Sequence, residues 1–238
     1  MYQKYLAMVD KYRLFPKFQL ERHVDTIFGI YLPEILDTHF KEKNNFSSAA
    51  IIPEFPISKK ILLDEYSKDD ARSIDFLVLS DNDDEAIFVE IKTDMRSRND
   101  KQEGDYSKLL NVKFDEVVKK LIKTIQSSKY KTKYVMLINE LHKYNIIHID
   151  RQFFKTFIDS GKIFTKYINE IRVVENNRIC KMLYIMPIQD DNSKNDCIPF
   201  DEIIHNRKID PDFRKYLEIW KYGVSKTVRD RIAEFYRE

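Results

Sequence analysis

The sequence predicts an α/β fold: a mixed central sheet flanked by helices, with a C-terminal α+β extension. Three observations predict it. Two short runs, 73–79 and 86–92, are β-branched and aromatic and are separated by a polar cluster, as buried strands joined by a hairpin are. Two longer segments, 17–32 and 105–126, carry apolar residues at helical spacing. Hydrophobic residues are 43% and aromatics 13% of the 238 residues, which supports one substantial core and excludes a disordered chain. The expected organisation is a core over 1–140 with an extension over 141–238, a hairpin plus helices, packed on it.

In chain order, Leu20, Val24, Ile27, Phe28 and Tyr31 give the first helix its apolar stripe, and Pro33 marks a break or restart. Strands are expected over 51–57, 61–65, 72–79 and 86–92, as an antiparallel meander. A helix over 105–126 follows, with Leu109, Val112, Val117, Leu121, Ile122 and Ile125 on its buried side. The run 134–139 reads as a short buried strand, bringing the sheet to an α/β sandwich. Phe153, Phe154, Phe157 and Ile158 predict another helix, which 163–167 would continue. The segments 171–175 and 179–188 flank Asn176-Asn177, a pair suited to a two-residue hairpin turn because asparagine tolerates positive φ. Asp210-Pro211 is a helix start, with Asp as cap and Pro in the first turn, leading into 213–222. Gly223 and Ser225 would end that helix and cap a last one.

The chemistry is concentrated on the first pair of strands. If Leu79 faces Ala86 across the polar loop, paired residue numbers sum to 165 and Asp75 sits opposite Glu90. Directly opposed residues share a face of the sheet, with Cβ atoms roughly 5 Å apart. Alternation brings Lys92 to the face of Glu90, while Val89 and Ile91 point the other way. Two carboxylates so close repel unless a cation lies between them, and hard divalent ions favour carboxylate oxygens. An E-x-K alone is more often a solvated strand face with a surface ion pair. The facing Asp75 is what lifts this set above that reading.

Asp75, a short loop and Glu90-Ile91-Lys92 together resemble the core motif of the PD-(D/E)xK nuclease superfamily, the restriction-endonuclease-like fold. Pro53-Glu54-Phe55-Pro56-Ile57 precedes it, where the first strand of that meander would stand. Gln102-Glu103-Gly104-Asp105-Tyr106 matches the Q-x-x-x-Y pattern of RecB-like members. The likeness covers roughly residues 15 to 140. Ile74 replaces the name-giving proline. Gly104 lies inside the Q-x-x-x-Y match, where glycine weakens a helix by about 1 kcal/mol, so Gln102 would stand near a helix entrance. The resemblance implies Asp75, Glu90 and Lys92 as catalytic residues. Asp75, Glu90 and the Ile91 backbone carbonyl would hold Mg²⁺ or Mn²⁺, with Gln102 and Tyr106 bracing the site or touching substrate. Many members add an acidic residue from the first helix. Glu21 is the candidate, its other readings being a carboxylate that reaches the metal through a water or an ion pair with Arg22 or a neighbouring strand, and Glu34 competes for the role.

Charge is nearly silent about partners, with a formal net of +2. Lys119, Lys120, Lys123, Lys129, Lys131 and Lys133 fall in a stretch without acidic residues, which reads either as a solvated face or as a track for a phosphate backbone. Arg96 and Arg98, in the loop after Lys92, are suited to substrate phosphates because arginine grips them bidentately. Cys180 and Cys197 lack C-x-x-C spacing and read as a reduced pair, not a zinc site. The five histidines form no ligand or nucleophile constellation, and no glycine-rich phosphate loop is present. No apolar run reaches the roughly 20 residues of a membrane helix, and the N-terminal residues lack the apolar core of a secretory signal. The chain therefore reads as cytoplasmic.

The expected function is metal-dependent hydrolysis of nucleic acid, DNA foremost, and a homodimer would suit double-strand cleavage. Two rivals predict other behaviour. A catalytically silent scaffold would bind nucleic acid or a protein partner without cutting, and a purely structural protein would expose the charged hairpin face and bind no metal.

Overall fold

The computed structural model describes residues 2–14, 20–41, 46, 49–63, 68, 70–79, 84–94, 100–110, 112–161, 165–188, 196–222 and 226. Five strands form one sheet in the order β1-β2-β3-β6-β7, where β1 is Ala50–Ser58, β2 Ala71–Leu79, β3 Glu85–Ile91, β6 Ile179–Met186 and β7 Asp196–Pro199. A separate two-stranded ladder pairs β4 (Ile147–His148) with β5 (Arg172–Val173). The fold is thus mixed α/β, with antiparallel β1–β2 and parallel β6–β7. Its contacts divide the chain into two compact units, 50–88 with 104–181, and 1–49 with 89–103 and 182–238.

In the first of these units, β1 and β2 run antiparallel from Ala50↔Leu79 to Ser58↔Ala71. Pro53 and Pro56 interrupt β1, which stands at the end of the strand order, where a missing N–H leaves no central ladder bond unmade. Helix α5 (Phe114–Ser127) buries Val117, Val118, Leu121, Ile122 and Ile125. Phe55, Phe88 and Phe114 cluster with ring centroids 5.9 to 6.4 Å apart. The buried Thr124 hydroxyl donates to Ser58 Oγ at 3.2 Å, pinning α5 to the end of β1.

The second unit packs α2 (Glu21–His39) through Val24, Phe28, Leu32 and Leu36, all fully buried. Phe28 meets Phe213 edge-on at 5.2 Å, and Tyr31 stacks on the same ring at 5.6 Å. Phe213 belongs to α10 (Pro211–Trp220), which follows α9 (Phe200–His205) and whose cap is the expected one: the Asp210 carboxylate accepts from the Asp212 and Phe213 amides, with proline in the first turn. An N-terminal helix, α1 (Tyr2–Tyr12), had no counterpart in the sequence reading. It buries Leu6 and Val9, and Asp10 accepts from Trp220 Nε1 at 3.1 Å and Arg13 Nε at 2.8 Å.

Several expectations are corrected. Pro33 does not break the first helix but lies inside α2. A proline there forfeits one backbone hydrogen bond, and the apolar stripe continuing through Ile35 and Leu36 offsets it. The strand over 61–65 is instead the short helix α3 (Lys59–Leu62). The helix over 105–126 is divided: α4 (Asp100–Tyr106) and a 3₁₀ turn over Ser107–Leu109 precede α5. The strand over 134–139 is a helix, α6 (Val135–Lys143), entered by a 3₁₀ turn over Lys131–Tyr134. Its buried residues Val135, Ile138 and Leu141 recur every three residues while Met136 is exposed, so the period is helical.

The hairpin around Asn176-Asn177 does not form either. Asn176 does make a turn, its side chain accepting from the Arg178 amide and donating to the Val174 carbonyl. The flanking strands then go to different partners, β5 to β4 and β6 into the five-stranded sheet. Residues Met182–Met186 are buried at every position, as a strand covered on both faces of its sheet is. Strand β6 stands beside β3 in the sheet. Helix α7 (Arg151–Ser160) forms as expected but stops at Gly161, φ +64°, and a separate α8 (Thr165–Asn169) follows. The last helix expected after Ser225 falls almost wholly outside the described residues.

Candidate active site

Glu90 and Lys92 lie at the end of β3, two residues apart on one side of the strand. Their neighbours are fully apolar from Ala86 to Val89, so both charges are carried into a dry environment. Glu90 is 5% exposed and Lys92 9%. Lys92 Nζ donates to Glu90 Oε1 at 2.8 Å, and Gln102 Nε2 of α4 donates to the same oxygen at 3.0 Å. Two donors on one oxygen fix the carboxylate plane. The Lys92 amide in turn donates to the Ile185 carbonyl of β6 at 2.8 Å, so the sheet ladder holds the backbone under the lysine. An exposed ion pair is worth little, but a buried carboxylate without compensation costs several kcal/mol, typically 3–5. Glu90 is therefore a held group and not a solvated face.

Asp75 lies on β2, half-buried between the buried Ile74 and Phe76. On the preceding strand the pairs Pro53↔Phe76 and Phe55↔Ile74 place Glu54 across from it, and Glu54 has φ +49°, a conformation that non-glycine residues seldom adopt. Tyr106, at the end of α4, is fully buried, and its hydroxyl donates to the Ser73 carbonyl of β2 at 3.2 Å. One residue earlier, buried Asp105 accepts from Arg72 Nη1 at 3.0 Å. Arg72 also lies 5.8 Å from the centre of the Tyr106 ring. Sequence reasoning named Tyr106 but missed the Arg72–Asp105 pair. Nothing in the surrounding polar run 100–108 marked Asp105 out, apart from its place directly before the buried Tyr106.

Gln102 stands in the first turn of α4, at the helix entrance as expected, and Gly104 lies within the same helix. Helix α4 runs through it, and a Cβ built there meets nothing within 4 Å. Gly104→Ala should accordingly stabilise the protein by about 1 kcal/mol, the helix-propensity difference, without touching Gln102 or Tyr106. Urea denaturation of the two proteins measures it, and a loss of stability would mean that the glycine is needed for its backbone.

Of the other candidates, Glu21 opens α2, and its side chain lies outside the described residues, as do Arg96 and Arg98. Glu34 sits mid-helix in α2, where its backbone carbonyl accepts from Asn206 Nδ2 at 3.1 Å and one buried carboxylate oxygen has no hydrogen-bond partner among the described residues. Its charge helps to raise the pKa of Tyr31, behind burial and Asp210. Five of the six lysines are exposed, Lys131 being half-buried, and Lys119 reaches Asp115 at 2.7 Å. Cys180 and Cys197 are not joined in a disulfide, and burial, ahead of Asp115 and Glu116, pushes the Cys180 thiol up to about 12, which keeps it protonated and inert.

Among the described residues no group of three or more His, Cys, Asp and Glu side chains stands in metal-binding geometry. The set named by the motif needs only two carboxylates, Asp75 and Glu90, and the Ile91 carbonyl. All three are hard oxygen donors, which suits Mg²⁺, an ion that keeps several of its waters. Among the described residues no helix is long and apolar enough to cross a membrane. Comparison with protein-family models, curated proteins and solved structures finds no match to this chain. The class that fold and geometry define is a mixed α/β protein with a buried Glu–Lys pair at one strand end, met by a half-buried glutamine.

Proposed function

We propose that this protein is a metal-dependent nuclease, hydrolysing phosphodiester bonds of nucleic acid and of DNA foremost, with Asp75, Glu90 and Lys92 as its catalytic residues. The observation that carries the reading is the buried Glu90 carboxylate, held on one oxygen by both Lys92 and Gln102. A carboxylate so placed is preorganised, and preorganised charge is what phosphoryl chemistry demands of a protein. The expected pairing of Asp75 with Glu90 across β2 and β3, neighbours in the strand order, supplies the second carboxylate. Mg²⁺ or Mn²⁺ held by Asp75, Glu90 and the Ile91 carbonyl would polarise the scissile phosphate and lower the pKa of a bound water. Lys92 would orient the attacking water or offset the charge that develops on the phosphate. Gln102 keeps Glu90 aimed, and Tyr106 and the Arg72–Asp105 pair steady the strand that carries Asp75.

Calorimetric titration with Mn²⁺ tests the reading without requiring a substrate. The protein should bind the ion, and Glu90→Ala and Asp75→Ala should each weaken binding at least tenfold while remaining folded. Binding unchanged in both variants would place the metal elsewhere and end the assignment. Absence of binding in the unaltered protein would favour a structural role for the cluster.

A further inference from the structure

A groove of about 770 Å³ lies within the unit formed by 50–88 and 104–181. Glu54 of β1 and Ser73 of β2 line one side, and Lys129, Tyr130, Lys133 and Met136 line the other. Its far wall presents apolar surface to water in an unusual way: Tyr130 is 76% exposed and Met136 69%. Isolated exposed apolar residues are common, but two on the rim of one concavity, interleaved with lysines, make a surface with a face to stack on and charges beside it.

Charge decides what suits it. Three acidic residues line the groove, and two are already compensated: Asp70 lies 2.8 Å from Lys59, and Glu140 3.6 Å from Lys143. Lys129 and Lys133 flank Tyr130, and Lys120 and Lys123 stand exposed on α5, which leads into the same segment. The rim around Tyr130 is therefore cationic and aromatic together, the combination that tracks a single strand by its phosphates and stacks its bases. A base can stack on a side chain only when it is unpaired, and a concavity of this volume is sized for a small ligand or a few linked groups, not for a duplex. Position adds a further argument. Strand alternation puts Asp75 on the same face of β2 as Ser73, which lines the groove.

We propose that this groove seats an unpaired nucleic-acid strand, with a base stacked on Tyr130 and phosphates on Lys129 and Lys133, and leads that strand toward Asp75. The proposal rests on the nuclease reading and sharpens it: the substrate is single-stranded or frayed next to the bond that is cut.

The test is fluorescence anisotropy of the full chain in EDTA with labelled single-stranded and duplex oligonucleotides, run beside cleavage assays in Mg²⁺. Tyr130→Ala should weaken single-strand binding about tenfold, and Tyr130→Phe should restore it, since the ring and not the hydroxyl stacks. Replacing Lys129 and Lys133 together by alanine should weaken binding and flatten its salt dependence. Tyr130 is on the surface, so circular dichroism should show all variants folded. Single-strand binding indifferent to Tyr130→Ala would overturn the proposal, as would a proline-rich peptide binding there in place of the oligonucleotide. Metal-dependent cleavage unaltered in Tyr130→Ala, with unchanged KM, would leave the nuclease standing and remove the groove. Tyr130-dependent strand binding without any cleavage would do the reverse.

Discussion

Truncating Lys92 to alanine should lower metal-dependent cleavage by roughly a hundredfold or more, the range expected when a positioned proton-handling or charge-offsetting group is removed. The same change should also cost stability. Lys92 is 9% exposed and sits 2.8 Å from Glu90, so its loss leaves a buried carboxylate with one of its two identified donors gone. Breaking a buried pair from one side typically costs about 3–5 kcal/mol. The two effects separate experimentally. Denaturation in EDTA reads the structural part, and cleavage at a temperature where the variant is fully folded reads the chemical part. If Glu90 is a metal ligand, added Mn²⁺ should stabilise Lys92→Ala more than the unaltered protein, because the ion replaces a missing positive charge. Equal stabilisation of both would detach the lysine from the metal site.

Asp10→Ala should destabilise the protein by about 3 kcal/mol or more, the largest effect expected away from the proposed site. Its carboxylate is buried and accepts from Arg13 Nε at 2.8 Å and from Trp220 Nε1 at 3.1 Å, and both of those side chains are themselves buried. The residue thus ties the first helix of the chain to the end of α10 and offsets a buried guanidinium. Asp10→Asn keeps an acceptor for the indole but removes the charge, so it should recover only part of the loss. Urea denaturation of the three proteins checks this ordering. Equal stability of Asp10→Asn and the unaltered protein would show that the Arg13 charge is satisfied without Asp10.

The strands around the site were legible because their composition admits one reading. Residues 71–79 and 85–91 are β-branched and aromatic, lack a helical period and are bounded by polar residues. The closeness of Lys92 to Glu90 followed from the period of two along a strand, and the Asp210-Pro211 cap followed from backbone chemistry that is local. The failures share a physical cause, which is that the deciding residues lie outside the segment itself. The run 134–139 is apolar enough for a strand, and only Leu141, beyond its end, makes the helical period visible. Pro33 breaks helices when nothing opposes it, but here buried Ile35 and Leu36 extend the stripe past it. Asn176 makes the turn its chemistry suggests, yet which strands pair afterwards is set by burial of β6 on both sides. The groove beside Tyr130 was hidden for the same reason: its two sides are more than fifty residues apart along the chain.

The central claim is that this chain cuts phosphodiester bonds with a metal held by Asp75 and Glu90. The most direct measurement incubates purified protein and Asp75→Ala with linear, circular and single-stranded DNA, in Mg²⁺, Mn²⁺ or EDTA. The account predicts cleavage in either metal, none in EDTA and none by the variant, with single-stranded DNA or strand ends cut in preference to closed duplex. Full activity in Asp75→Ala, or cleavage that persists in EDTA, would contradict it.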